Sequence, residues 1–340
     1  MLNNVYRLIE PRRIVKSVVP ISINDIDNVI IRPLYLSVCK ADQRYYTGSR
    51  NKKTLDSKLP MALIHEGVAE VAFDYSHTMD IGTHVAIIPI HAHSHVDEVP
   101  ENYSESSTFS SSTEDGFLSE YMNIEPERLL TLDFNFPLDK AVYLEPMSVA
   151  IQAINRLKIS DASKNEVIGV WGDGNVAYII SVLLKKKYPS KRIVVFGKHR
   201  EKLAYFNFVE TILIDEIPYR YRVDQAIEAV GGVGSEAALN QIFNIIRAMG
   251  TIVLAGVSEN NISISTRIVL EKGLTVTGTT RSTRSDFEEA YDLLKCIDVQ
   301  SRINLLTQSK LVVHNERELV NAFDQDLNLS WGKTIIDWRV

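Results

Sequence analysis

Short apolar and alternating runs separated by Asn, Asp, Gly and Ser dominate the first part of the chain, at residues 18–23, 28–33, 67–73 and 84–90. Period-two patterning bounded by turn formers predicts strands joined by loops. The polar stretch 91–115, rich in Ser, Glu and His, predicts a long loop of a length that usually carries function. From about Glu145 the period changes. Residues 148–157 hold apolar positions at helical spacing, and the apolar run 167–171 leads through Gly172 into a helical stretch, 176–186. There follow a run at 192–196, a helix from Arg200 to about Phe208, further runs at 225–230, 251–255 and 274–278, and a helix at 236–249. Strand alternating with helix predicts an α/β architecture with a doubly wound parallel sheet, preceded by an antiparallel β-rich domain. The stretch from about Phe287 starts as a helix and finishes in a strand, 333–338, able to return to the first domain. No repeat of fixed period is present.

Composition narrows the classes. With 340 residues, 45% of them hydrophobic and 8% aromatic, the chain buries a large core and is not disordered. The formal net charge is −6 and no block of five or six like charges occurs, which argues against a general nucleic-acid or membrane-surface binder and leaves small molecules or proteins as partners. Two cysteines, Cys39 and Cys296, make neither a disulfide framework nor a four-thiolate zinc site, the pattern of a reducing, cytoplasmic setting. The opening MLNNVYRLIEPRR has no secretory h-region, and no run approaches the roughly 18 apolar residues of a membrane span.

Two constellations carry chemistry. In V-I-G-V-W-G-D-G-N-V-A, Gly172-x-Gly174-x-x-Ala177 falls between an apolar strand and a helix. Gly172 permits the tight turn and Gly174 the approach of a pyrophosphate. Asn175 and Val176 open the helix whose free N–H groups face it, and Ala177 allows close packing. Glycine turns of this kind also occur without a nucleotide. The next strand ends at Gly197, followed by Lys198, His199 and Arg200. Where an acidic residue would bind the ribose diol of NAD there is no carboxylate, and Lys198 and Arg200 are available for a 2′-phosphate, which favours NADP; the competing reading is a basic helix start on a solvated surface. Cys39, His65, Glu66 and Glu145 supply the thiolate, imidazole and carboxylates that suit a catalytic zinc. Taken singly, each also fits a structural role: a core thiol, a hydrogen-bonded core histidine, a helix-start carboxylate.

Together and in order, C-x-x-D (Cys39, Asp42), H-E-G (His65 to Gly67), L-E-P-x-S-V-A (Leu144 to Ala150) and G-D-G-N-V-A resemble the zinc-dependent medium-chain alcohol and polyol dehydrogenases. D-Q-R-Y-Y-T-G, L-P-M-x-L-I-H-E-G, V-F-G-K and S-W-G-K-T are most similar to the ribulose-5-phosphate reductases within that superfamily. The resemblance implies a discontinuous GroES-like catalytic domain, residues 1–147 and 287–340, and a Rossmann domain, residues 148–286. It implies one catalytic zinc on Cys39, His65, Glu66 and Glu145, with Asp42 orienting a ligand. In related enzymes the glutamate at the position of Glu66 can bind through water. Tyr45 would line the polyol pocket. Arg44, Arg50 and Arg281 would meet a substrate phosphate, with Lys52 and Lys53 equally well read as surface. A structural zinc is not expected, because 91–115 holds no cysteine. His91, His93 and His95 are read as a solvated loop and Cys296 as a core thiol.

The reaction implied is NADPH-dependent reduction of D-ribulose 5-phosphate to D-ribitol 5-phosphate, supplying CDP-ribitol for teichoic acid or capsule synthesis. A cytoplasmic homodimer or homotetramer is implied, in contact with the pathway's cytidylyltransferase. The alternatives are an NADP-dependent dehydrogenase of another polyol or sugar phosphate, and a zinc-free quinone-reductase-like or non-catalytic nucleotide-binding relative.

Overall fold

The computed structural model describes residues 1–92, 99–159 and 166–340. The chain divides into two compact units, Met1–Glu145 with Ser282–Val340, and Pro146–Arg281. The divisions fall at 145/146 and 281/282, not at 147/148 and 286/287. The second difference has a local cause, because helix Arg284–Leu294 is tied into the first unit. Arg284 Nη1 donates to the carbonyls of Glu127 and Leu129 at 2.6 and 3.2 Å, and Tyr291 OH accepts from Asp133 N at 2.7 Å.

In the first unit, strands Leu2–Glu10 and Arg13–Pro20 form a hairpin, with Met61–Ala62 beside the first of them. The sequence reading missed the opening strand and extended the second to residue 23. The hairpin turns at Pro11 and Arg12, with Arg12 at φ 63°, and the second strand stops at Pro20, which brings no N–H to a ladder. A seven-stranded sheet runs Leu129–Thr131, His84–Ile87, Glu66–Phe73, Val29–Ser37, Lys333–Trp338, Thr307–Val313, with Met122–Ile124 also on Val29–Ser37. Lys333–Trp338 lies antiparallel to Val29–Ser37 and parallel to Thr307–Val313, so the late strand does return to this unit. Tyr6, Leu8, Ile31, Tyr46, Phe117, Phe323 and Trp338 fill its core. The stretch 91–115 is not all loop: Ile90–His91 pairs with Thr108–Phe109, and Glu101–Tyr103 makes a 3-10 turn.

The second unit holds a six-stranded parallel sheet, in spatial order Glu210–Leu213, Arg192–Gly197, Val167–Trp171, Val223–Glu228, Ile246–Leu254, Thr275–Gly278. Numbered along the chain this is the doubly wound order 3-2-1-4-5-6, whose ligand crevice lies at the carboxyl ends beside the first strand. Trp171, Phe196, Leu239, Ile242 and Phe243 pack its core. Two helices are shorter than their patterns predict. Arg200–Leu203 gives way to a 3-10 turn, Ala204–Phe206, and Ser235–Ile245 ends where Ile246 pairs with Val223 and joins the sheet. Among the described residues no helix is long and apolar enough to cross a membrane.

Candidate functional site

The residues expected to hold a metal come from separate stretches of the first unit. Cys39 caps helix Lys40–Tyr46. Its Sγ accepts from Ala41 N at 3.2 Å and Asp42 N at 3.5 Å, while Asp42 accepts from Cys39 N at 3.1 Å, closing a capping box. Ile64, just before His65, has φ 71°, a strained conformation for a β-branched residue. Its neighbours hold it there: Ile64 N donates to Asp42 Oδ1 at 3.0 Å and Ile64 O accepts from Phe117 N at 2.8 Å. Gly116 permits this approach, since a Cβ there would sit 2.3 Å from Ile64 O.

The turn sets His65 Nε2 at 3.4 Å from Cys39 Sγ, with Nδ1 at 3.5 Å from Asp42 Oδ1 and Phe109 edge-on at 5.3 Å. Cys39, Asp42 and His65 form one group, and His65, Glu66 and Glu145 another, in which the potential ligand atoms lie within 4.8 Å of one another. These are the groups of this kind among the described residues. His91 pairs instead with Glu114 at 3.1 Å, and His93 and His95 lie outside the described residues.

The electrostatics of the cluster match a cation. His65, Glu66 and Glu145 are buried, as is Asp42. Burial, with Asp42's charge, pushes the Cys39 thiol up to about 11. Burial, with Glu66 nearby, pushes Glu145 up to about 7. A divalent cation beside His65 would oppose both shifts, because it favours the anionic forms. Burial acts against charge on His65, but the anionic Cys39 and Asp42 outweigh it and raise its pKa well above the ordinary value. Asp42 is held well below the carboxylate range despite burial, by His65, Ser111 and Cys39. The two groups meet at His65 and between them offer thiolate, imidazole and carboxylates, the donor chemistry of zinc.

Sequence reasoning missed Lys333, Ser37, Ser111 and Phe109. Lys333 Nζ, buried, reaches the Glu66 carboxylate, which also accepts from Ser37 Oγ at 2.7 Å; Ser111 Oγ donates to Asp42 Oδ1 at 2.7 Å. A signal existed for one of them: a lysine opening the otherwise buried strand K-T-I-I-D-W. Asp326 locks that strand to the cysteine's helix, accepting from Thr334 N and from Gln43 Nε2, each at 3.0 Å.

The cations expected at a phosphate divide between the units. Arg44 and Arg50 lie half-buried in the first, where Arg50 stacks over the buried Tyr45 ring at 4.8 Å, and Lys52 and Lys53 are exposed at a helix start. Arg281 ends the second unit at φ 56°, its pKa lowered by burial. Cys296 is not a core thiol: it is half-buried at the N-cap of helix Ile297–Ile303.

In the second unit a cleft of about 360 Å³ opens where Gly172, Asp173 and Gly174 meet Gly197, Lys198 and His199, backed by Trp171 and Phe196 stacked at 4.1 Å. Gly172 has φ 130°, and a Cβ would lie 2.9 Å from Ala229 O; a Cβ at Gly174 would meet nothing within 4 Å. Asn175 and Val176 begin helix Asn175–Lys187. Lys198 is exposed, with no ion-pair partner among the described residues, whereas Arg200 pairs with Glu216 at 2.8 Å.

Residues 25–133 match the alcohol dehydrogenase GroES-like domain and residues 192–296 the zinc-binding dehydrogenase domain. Over its whole length the chain is 42% identical to a ribulose-5-phosphate reductase of Bacillus spizizenii, covering 100% of both. It is likewise 42% identical to ribulose-5-phosphate reductase 1 of Staphylococcus aureus, with 99% of each covered. The crystal structure of S. aureus TarJ in complex with NADPH superposes with a TM-score of 0.89 at 38% identity, covering 100% of both chains. The chain belongs to the zinc-binding dehydrogenase family that includes the ribulose-5-phosphate reductases.

Proposed function

We propose that this protein reduces D-ribulose 5-phosphate to D-ribitol 5-phosphate with NADPH, using one zinc ion held by Cys39, His65, Glu66 and Glu145. The observation that carries the reading is the buried donor set around His65, in a chain 42% identical from end to end to ribulose-5-phosphate reductases. Zinc, when bound, supplies Lewis acidity toward the substrate carbonyl. The chain's own residues do the rest. The capping box fixes Cys39, the strained Ile64 turn aims His65, and Asp42 holds both backbones. Lys333 and Ser37 orient the Glu66 carboxylate and hold part of its charge. The glycine loop and Lys198 would hold NADPH, which would supply the hydride for C2 of the sugar, the proton for the oxygen coming from water and hydroxyls, so that NADP and the alcohol result.

Lys198, with no acid possible at Gly197, supports the choice of NADPH over NADH. Arg44, Arg50 and Arg281 are assigned to the substrate phosphate, Arg being suited to a two-pronged grip, and Tyr45 to the wall of the sugar pocket. The wider setting is part of the same proposal and rests on the resemblance: a cytoplasmic dimer or tetramer feeding CDP-ribitol to teichoic acid or capsule synthesis beside a cytidylyltransferase. Rates with NADPH and ribulose 5-phosphate, xylulose 5-phosphate or unphosphorylated ribulose test the assignment. Strong preference for the first is expected, and equal rates remove it.

A further inference from the structure

Asp173, the acidic residue of the glycine loop, lines the cofactor cleft. It stands in the x position of Gly172-x-Gly174, at the edge of the cleft where an anionic cofactor is expected, and a free carboxylate there would repel a 2′-phosphate. Its oxygen Oδ2 is instead committed to the turn after strand Arg192–Gly197. Lys198 N donates to it at 2.7 Å and His199 N at 2.8 Å, and the His199 ring lies against it with Nδ1 at 3.0 Å. The side chain is only 12% exposed although the turn is on the surface. Gly197 completes the arrangement, because a Cβ there would approach Asp173 Cβ to 2.9 Å. The strand end, where a ribose-binding carboxylate would stand, is closed to a side chain by Asp173 together with Leu203, whose Cδ2 would lie 2.6 Å from the added Cβ.

We infer that Asp173 is a positioning residue for cofactor choice. By clamping the 198–199 turn it presents Lys198 to the 2′-phosphate, and by packing with Leu203 around Gly197 it helps bar an acid from the strand end. Charge that would oppose NADPH is spent on backbone amides, which are strong partners for a carboxylate. The inference rests on the proposed NADPH-dependent function and adds the residue that enforces it.

Dissociation constants of the full-length protein for NADPH and NADH, by titration of nicotinamide fluorescence, test it. Asp173→Ala frees the turn: NADPH binding is expected to weaken about tenfold or more and NADH binding by less than about threefold, the scale of two lost amide contacts. Asp173→Asn keeps an oxygen for both amides and is expected to restore NADPH binding to within about threefold. Thermal melting without cofactor is run beside each variant. If Asp173→Ala does not fold, Asp173→Ser, too short to span both amides, takes its place. Equal weakening of both cofactors, unchanged NADPH binding, or tighter NADPH binding in Asp173→Ala overturns the inference while leaving the NADPH-dependent function intact. A wild-type protein that binds NADH as tightly as NADPH sinks the underlying reading instead.

Discussion

His65 meets Cys39 on one nitrogen and faces Asp42 with the other, and the backbone that places it is strained at Ile64. Such a residue has little freedom to be replaced. Cys39→Ser and His65→Ala are each expected to abolish ribulose 5-phosphate reduction and zinc retention while NADPH binding, carried by the other unit, stays within about twofold; metal content and cofactor titration check this, and zinc-depleted protein that still turns over removes the metal mechanism. Lys333 makes a different demand. In zinc-free protein, removing it in Lys333→Met leaves Glu66 buried without a counter-charge, a change that typically costs about 3–5 kcal/mol. Urea denaturation should show that loss, and Lys333→Arg should recover most of it. The ligand types were legible in the sequence because thiol, imidazole and carboxylate are chemically conspicuous. Lys333 was not, since its meaning depends on a strand pairing some 270 residues from Glu66 along the chain, and no periodicity reports that.

At the scale of elements, the glycine loop separates strain from space. Gly172 holds φ 130°, so Gly172→Ala is expected to destabilise the protein by about 1–3 kcal/mol as well as weaken NADPH binding. Gly174 meets open space, so Gly174→Ala should melt as the wild type does yet bind NADPH about tenfold more weakly, because the new methyl intrudes on the pyrophosphate. A fall in melting temperature for Gly174→Ala would show that the loop is a structural turn and not a phosphate cradle. The strand-turn-helix unit around these glycines was readable because hydrophobic period and turn chemistry agree there. The ends of elements were read less well. Ile246 continues the helical pattern of Ser235–Ile245 but pairs with Val223, and the sheet prevails over the periodicity. The stretch 91–115 looked like loop because its pairing segments, such as Thr108–Phe109, are two residues long, yet it supplies Phe109 and Ser111 to the metal cluster.

For the whole molecule, the division into units predicts separable behaviour. Residues 146–281 contain all six strands of the parallel sheet, the glycine loop, Lys198 and Asp173, with their own core. Expressed alone, this segment is expected to fold and bind NADPH within about tenfold of the full chain, by far-UV circular dichroism and cofactor fluorescence. An unfolded segment would show that its core depends on the first unit. The alternation of strand and helix made this half of the fold legible. The first unit was harder, since its sheet joins strands from opposite parts of the sequence.

That joining has a consequence for synthesis. Strand Lys333–Trp338 sits between Val29–Ser37 and Thr307–Val313, and it carries the lysine that meets Glu66. On the ribosome, strands made within the first hundred residues must wait with an unpaired edge until residue 338 has emerged, while the nucleotide-binding half, contiguous in sequence, can complete itself in the interval. The Glu66 carboxylate therefore spends translation without its lysine partner, and the donor cluster reaches its final charge balance only late in the life of each new chain.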